Sequence, residues 1–125
     1  MTQEEKDLLI KDLSARLLYK VKFSFNMWNE EKQEEVNTVC TLFSVNTDGY
    51  CEALEESGHI PLEFVKPYLR PLSSMTEEER QEYGLVLCDE LSNNQFDWLN
   101  KKMFDHRGLI EKGLALEAPN GIYND

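Results

Sequence analysis

Midway along this 125-residue chain the spacing of apolar side chains changes, and the change constrains the fold more than any other feature. In residues 19–27 every second side chain is apolar, which is the period of a β-strand with one buried face. Over residues 77–91 the apolar positions follow the spacing of one face of an α-helix. The chain is therefore predicted to be β-rich at residues 19–72 and helical at residues 75–118.

The change coincides with a stiff segment, VKPYLRPLSSMTEEE. Proline holds φ at roughly −65° and cannot donate a backbone hydrogen bond to a sheet, so residues 61–71 are predicted to be an edge segment. Thr76 and Glu79 then have the spacing of a capping box, and Glu77 and Glu78 are well placed at the positive end of a helix dipole. We interpret this segment as the border between a sheet and the helices.

The other elements follow from the same signals. Thr2 and Glu5 form a first capping box. Residues 36–45 are apolar on both strand faces, which predicts a strand covered on both sides, and Gly49 ends a turn sequence, NTDG, that can return the chain into a strand. The predicted helices are residues 3–16, 77–91 and 95–104; the predicted strands are residues 19–27, 36–45 and 50–54, with a short fourth strand near residue 60.

These elements predict an α+β fold in a single domain, residues 1–125. An N-terminal helix precedes a small, strongly bent antiparallel sheet of four or five short strands, for which an SH3-like barrel is the candidate architecture. Two C-terminal helices follow. The apolar residues of the tail, LIEKGLALEAP, predict that it docks back onto the fold.

Charge and composition limit the classes of partner. The formal net charge is −11, from 24 acidic residues against 13 Lys and Arg, so direct binding to nucleic acid is disfavoured because like charges repel. The N-terminal residues contain no long apolar run, so we expect a cytoplasmic protein that does not bind a membrane. Cys40, Cys51 and Cys88 include no Cys-x-x-Cys pair, which favours reduced thiols in a core.

The triplet Asp105-His106-Arg107 is the most chemically suggestive in the chain. A carboxylate beside an imidazole could orient a general base, but the sequence identifies no nucleophile for it. We therefore interpret His106 and Arg107 as groups at the negative end of a helix dipole. Sequence patterns of zinc, calcium and phosphate-loop sites are absent, so we expect no catalytic residues, no metal, no cofactor and no enzymatic activity.

Six residues are candidates for contact with a partner. Trp28 has the polar parity of its strand, so its side chain is expected at the surface, where aromatic groups often anchor protein contacts. The others belong to acidic clusters or to the triplet. The set is Trp28, Glu55, Glu56, Glu77, Glu78 and His106.

Several sequence blocks together carry a family resemblance. The chain opens with MTQEEKDLLIKDL, has KPYLRP and SSMT near its middle, and contains DWLNKKMFDHRGLIEKGLALEAPNGIY towards its end. These blocks resemble a family of small acidic proteins encoded in phage-like and mobile regions of gut bacterial genomes, and the resemblance covers most of the chain. That family has no assigned activity, so the resemblance implies an origin without implying a biochemical role.

One function is expected, with two alternatives. The expected function is a non-catalytic protein-interaction or accessory module of phage or mobile-element origin, whose partner is another protein; the sequence leaves open whether it also forms homo-oligomers. In the first alternative the acidic residues imitate a nucleic-acid backbone and block a host DNA-binding protein. In the second, Asp105 and His106 join Glu or Cys groups distant in sequence to form an enzyme site.

Overall fold

The N-terminal helix begins at the predicted capping box. The computed structural model describes residues 1–55, 57–87 and 94–123, and its first helix, α1, spans Gln3–Arg16. Thr2 Oγ1 accepts from the Glu5 N–H at 3.0 Å, and the Glu5 carboxylate accepts from the Thr2 N–H at 2.9 Å. Leu9 and Leu13, one turn apart, are fully buried. The predicted helix over residues 3–16 is confirmed.

Six strands in the described ranges form one sheet, in the order β4-β3-β2-β1-β5-β6. Neighbours pair antiparallel except β5 and β6, which pair in parallel, so the sheet is mixed and not purely antiparallel. It is open, with β4 and β6 at its edges; the α+β class is confirmed and the SH3-like barrel is not. The strands are β1 Lys22–Asn29, β2 Glu34–Val45, β3 Tyr50–Ala53, β4 Ile60–Pro61, β5 Lys66–Leu69 and β6 Leu116–Glu117.

The first strand begins later than the alternating pattern predicts. Leu17–Tyr19 forms a 3-10 helix, and Lys20 follows in the left-handed region with φ 57°. Tyr19 uses its hydroxyl to donate to the Asp97 carboxylate of the last helix. A tertiary contact thus takes Tyr19 out of the strand.

The predicted edge segment is an edge only in part. β4, which contains Pro61, does lie at an edge, but β5 lies between β1 and β6. Phe23 of β1 is opposite Pro67, and on the other side Tyr68 is opposite Leu116 of β6. The edge position predicted for β5 was wrong because a strand from the distant tail covers it.

The helical half also begins at its predicted capping box. The Thr76 N–H donates to Glu79 Oε1 at 3.0 Å and the Glu79 N–H to Thr76 Oγ1 at 3.1 Å, and α2 follows over Glu77–Leu87. The rest of the helix predicted to residue 91 lies outside the described residues. The last helix, α3, spans Asn94–Lys101. It ends before the predicted residue 104 because the chain turns there, with a φ of 64° at Met103.

Among the residues that the structure describes, no helix is long and apolar enough to cross a membrane. The longest of them, α1, has 14 residues and so a length of about 21 Å, against a hydrocarbon core roughly 30 Å thick.

Two groups of buried side chains hold the elements together. The larger joins α1 to one face of the sheet and to the tail, whose Leu109 and Leu114 are buried, as the predicted docking requires. Cys40 and Cys51 belong to this group, so their predicted place in a core is confirmed; Cys88 lies outside the described residues. The smaller group is built on the residues Trp98, Leu99 and Phe104, with Met75 and Tyr83 packed against them.

Candidate functional site

A buried ion pair on α1 connects the helices of the two halves. Asp12 and Arg16 are both fully buried, and Arg16 donates to Asp12 Oδ2 from Nε at 3.0 Å and to Oδ1 from Nη2 at 3.1 Å. Arg16 also donates to the carbonyl oxygens of Asn100 at 3.3 Å and Phe104 at 2.6 Å. Since Asn100 is in the last turn of α3, Arg16 is a buried cation at the negative end of that helix, to which Lys101 also contributes a positive charge.

His106 and Arg107 lie beside this end of α3, the position predicted for them, and both contact the side chain of Asn100. Arg107 Nη1 donates to Asp12 Oδ1 at 2.7 Å and to Asn100 Oδ1 at 3.2 Å. His106 Nε2 lies 2.8 Å from the same Asn100 oxygen. Burial, with the positive charge of Arg107 added, lowers the pKa of His106 to about 4, so the imidazole is neutral near pH 7.

Asp105 does not orient the neighbouring imidazole. Its two carboxylate oxygens accept from the N–H groups of Leu109 at 2.8 Å and Ile110 at 2.9 Å, which fixes the turn into the tail. Across the described residues every buried side-chain nitrogen or oxygen has a hydrogen-bond partner, and no three His, Cys, Asp or Glu side chains converge as a metal site requires. The network around Asp12 thus holds α1, α3 and the tail together.

The acidic candidates lie on different elements. The Glu55 carboxylate accepts from the Thr41 N–H at 2.8 Å and from its hydroxyl at 2.9 Å. Desolvation opposes ionisation there, but the hydrogen bonds from Thr41 outweigh it and hold the pKa of Glu55 below its ordinary value. Glu77 and Glu78 are exposed in the first turn of α2, and Glu56 lies outside the described residues. The acidic candidates do not form one described cluster.

Trp28 is exposed, as its parity predicts. It lies opposite Glu35 near the turn of the β1–β2 hairpin, and 57% of its surface is accessible. Phe23 and Phe25, which have the opposite parity on the same strand, belong to the larger core group or pack against it. Trp28 therefore projects from the other side of the sheet.

That side of the sheet carries further exposed apolar groups. Val39 and Phe43 lie on β2, where the pairing with β3 shifts between Leu42 and Ser44, and Tyr50 and Leu54 lie on or just after β3. The four residues are 42–57% exposed. We call Val39, Phe43, Tyr50 and Leu54 the apolar outer face. Exposed apolar patches on folded proteins often mark contact sites.

Acidic groups border this outer face. Glu52 lies between Tyr50 and Leu54 on β3, and its carboxylate is 3.6 Å from the exposed His59 ring. Glu55 follows directly. An apolar surface bordered by carboxylates suits a partner surface that is apolar at its centre and basic at its rim.

The sequence pattern indicated the exposure of Trp28 but not that of the apolar outer face. The apolar residues on both parities of β2 predicted a strand covered on both sides, and this was wrong for Val39 and Phe43, which are exposed. The presence of apolar residues on both parities of β2 was the signal from which this surface could have been predicted. The sequence of an apolar strand face is the same whether this chain or a partner covers that face.

No similarity to a known protein indicates the function of this chain. Comparison of the chain with models of protein families, with curated proteins and with solved structures gives no match. The surfaces that the fold leaves uncovered are therefore the features that bear on its function.

Proposed function

We propose that this protein is a non-catalytic interaction module that binds another protein through its apolar outer face. The observation that carries the proposal is the exposure of Val39, Phe43, Tyr50 and Leu54 on adjoining parts of one sheet surface. Full burial of a Leu or Phe side chain is worth about 1.5–3 kcal/mol. A micromolar complex requires about 8 kcal/mol, so these groups can supply a large share of it.

The proposed partner has a basic rim. A net charge of −11, with Glu52 and Glu55 beside the apolar groups, favours association with a positively charged surface and speeds the encounter at low salt. A cytoplasmic location and a phage or mobile-element origin are parts of the proposal, and the support for that origin is the family resemblance of the sequence blocks.

The test combines partner capture with variants of the outer face. A partner cross-linked in host lysate is purified, and its affinity is measured by calorimetry for the original chain and for Phe43→Thr and Leu54→Thr. Loss of either side chain from a buried interface should weaken binding by about tenfold or more. The matched control is Leu85→Gln, which changes a 75% exposed apolar residue on α2 and should leave the affinity unchanged. Equal affinities for all four proteins would refute the proposal.

A second candidate is an acidic mimic of nucleic acid that blocks a DNA-binding host protein. The exposed carboxylates of the β1–β2 hairpin and of α2 favour it, namely Glu30, Glu31, Glu34, Glu35, Glu77 and Glu78. Reversal of Glu55, Glu56, Glu77 and Glu78 to Lys should then abolish partner binding, and duplex DNA should compete for the same partner. Binding that the reversal weakens but does not abolish, and that is lost in Phe43→Thr, would select the interaction module.

A further inference from the structure

The β1–β2 hairpin extends beyond the strand that flanks β1. β1 pairs with β2 along all eight residues of Lys22–Asn29, but with β5 only at Phe23 and Ser24. Beside residues 25–29, the described chain supplies no strand on the β5 side. The backbone donors and acceptors on that edge have no ladder partner there and are open to another chain.

A groove of about 630 Å³ adjoins this edge. Three apolar side chains line it: Phe25 of β1, Phe64 of the 3-10 helix Leu62–Phe64, and Leu116 of β6. Phe64 is 59% exposed, although it is a large aromatic group. A chain lying along the edge would have its backbone beside β1 and alternate side chains in the groove.

The edge also lacks the usual protection against strand pairing. Natural edge strands carry lysine, proline, an inward charge or a bulge, whereas residues 25–29 read FNMWN and contain no charge and no proline. The charged side chains around the groove are mainly acidic, which favours a positively charged occupant. Glu35 and Glu63 line the groove, and Glu30, Glu31 and Glu34 lie in or next to the adjoining turn, against Lys32 and Lys66.

We propose that the β1 edge at residues 25–29 accepts an extended basic polypeptide segment as an added strand in line with β5. Five residues of strand span about 17 Å, enough for the segment's backbone to pair along the edge and its side chains to reach Phe64. The negative charge of the chain favours a Lys- or Arg-bearing segment over a second copy, which would bring its own net charge of −11. This inference rests on the proposed function and names the class of partner segment.

The probe is a short synthetic peptide in which Val alternates with Lys. One control peptide has Glu in place of Lys, and another keeps the basic sequence but is N-methylated at alternate backbone nitrogens, which removes the donors along one edge. The basic peptide should bind and slow the exchange of alternate amides within residues 25–29 by about tenfold or more, because they become hydrogen-bonded. Both controls should bind at least about tenfold more weakly.

Two variants distinguish peptide binding at the β1 edge from binding at the apolar outer face. Phe64→Ala should weaken binding of the basic peptide by about tenfold, whereas Leu85→Ala, on an exposed residue of α2, should not. Protection of residues 25–29 that persists in Phe43→Thr would support strand addition even if the outer face binds nothing.

Three results would overturn the inference. In the first, the basic peptide fails to bind. In the second, the basic peptide binds equally with and without N-methylation, and only Phe43→Thr abolishes the binding. The peptide then binds at the outer face, which agrees with the proposed function but not with strand addition. In the third, ultracentrifugation shows a dimer whose amides at residues 25–29 are protected without peptide, and a second copy is then the occupant.

Discussion

Arg16 and Asp12, one turn apart on α1, form an ion pair from which water is fully excluded, and Arg16 also closes the end of α3. Arg107 reaches the same carboxylate from the tail at 2.7 Å. Removing two charges from water is costly, and the cost is offset only if their remaining hydrogen bonds are satisfied. Here the carbonyl groups of Asn100 and Phe104 meet that condition.

Replacement of Arg16 by Met should destabilise the fold by about 3–5 kcal/mol, because two buried carbonyl oxygens lose a donor and Asp12 loses its neighbour. The free energy of unfolding is measured in urea. The matched control is Lys11→Met on the exposed side of the same helix, which should change it by less than about 0.5 kcal/mol. Similar losses for both variants would show that the ion pair has no special role.

Glu79 should make the fold sensitive to acid. Hydrogen bonds from Arg70 at 2.7 and 2.8 Å lower the pKa of Glu79 to about 2, from an ordinary 4.5. The unfolded chain then takes up a proton before the folded one does, so this contribution is complete above pH 4.5 and is lost as the pH falls towards 2. In Glu79→Gln the slope of unfolding free energy against pH should be shallower over that interval, and in the exposed control Glu78→Gln it should not.

His106 should titrate at an unusually low pH. Burial and the adjacent Arg107 lower its pKa from 6.5 to about 4, so the unfolded chain binds a proton first and stability falls as the pH drops from 6.5 to 4. The measurement is an NMR titration of the imidazole in His59→Gln, which leaves one histidine signal. A midpoint near 6.5 would contradict the partly buried position of the ring beside Arg107.

Two glycines should respond oppositely to alanine. Gly49 has φ +95°, a backbone conformation that strains any residue with a Cβ, whereas the nearby end of the Lys6 side chain can move aside, so Gly49→Ala should destabilise by about 1–3 kcal/mol. Gly84 lies within α2 with open space around it, so Gly84→Ala should stabilise by about 0.5–1 kcal/mol. The melting temperatures of the two variants check both predictions. A shift in the same direction for both would contradict either the positive φ of the turn at Gly49 or the helical position of Gly84.

The two tryptophans should differ in fluorescence. Trp98 is only 8% exposed, and its ring centroid is 5.2 Å from that of Tyr83 and 5.8 Å from that of Phe104, whereas Trp28 is open to solvent. In Trp98→Phe the remaining emission should be red-shifted and easily quenched by acrylamide. In Trp28→Phe it should be blue-shifted and resist quenching; equal quenching of the two variants would contradict the exposed hairpin.

Local signals in the sequence were sufficient for the element types and many of their boundaries. The pairs Thr2–Glu5 and Thr76–Glu79 start helices because each cap needs only residues within one turn of chain, and Gly49 ends a turn for the same reason. The exposure of Trp28 followed from strand parity alone.

Contacts between distant residues decided what remained. The position of β5 inside the sheet depends on β6, and the role of Arg16 depends on the end of α3; neither leaves a trace in the local pattern. The outer face is the clearest case. The amino-acid order alone makes both faces of β2 apolar, but the exposure of Val39 and Phe43 follows from how the elements pack. The hydrophobicity of a strand face measures its tendency to be covered, and packing determines whether this chain covers it.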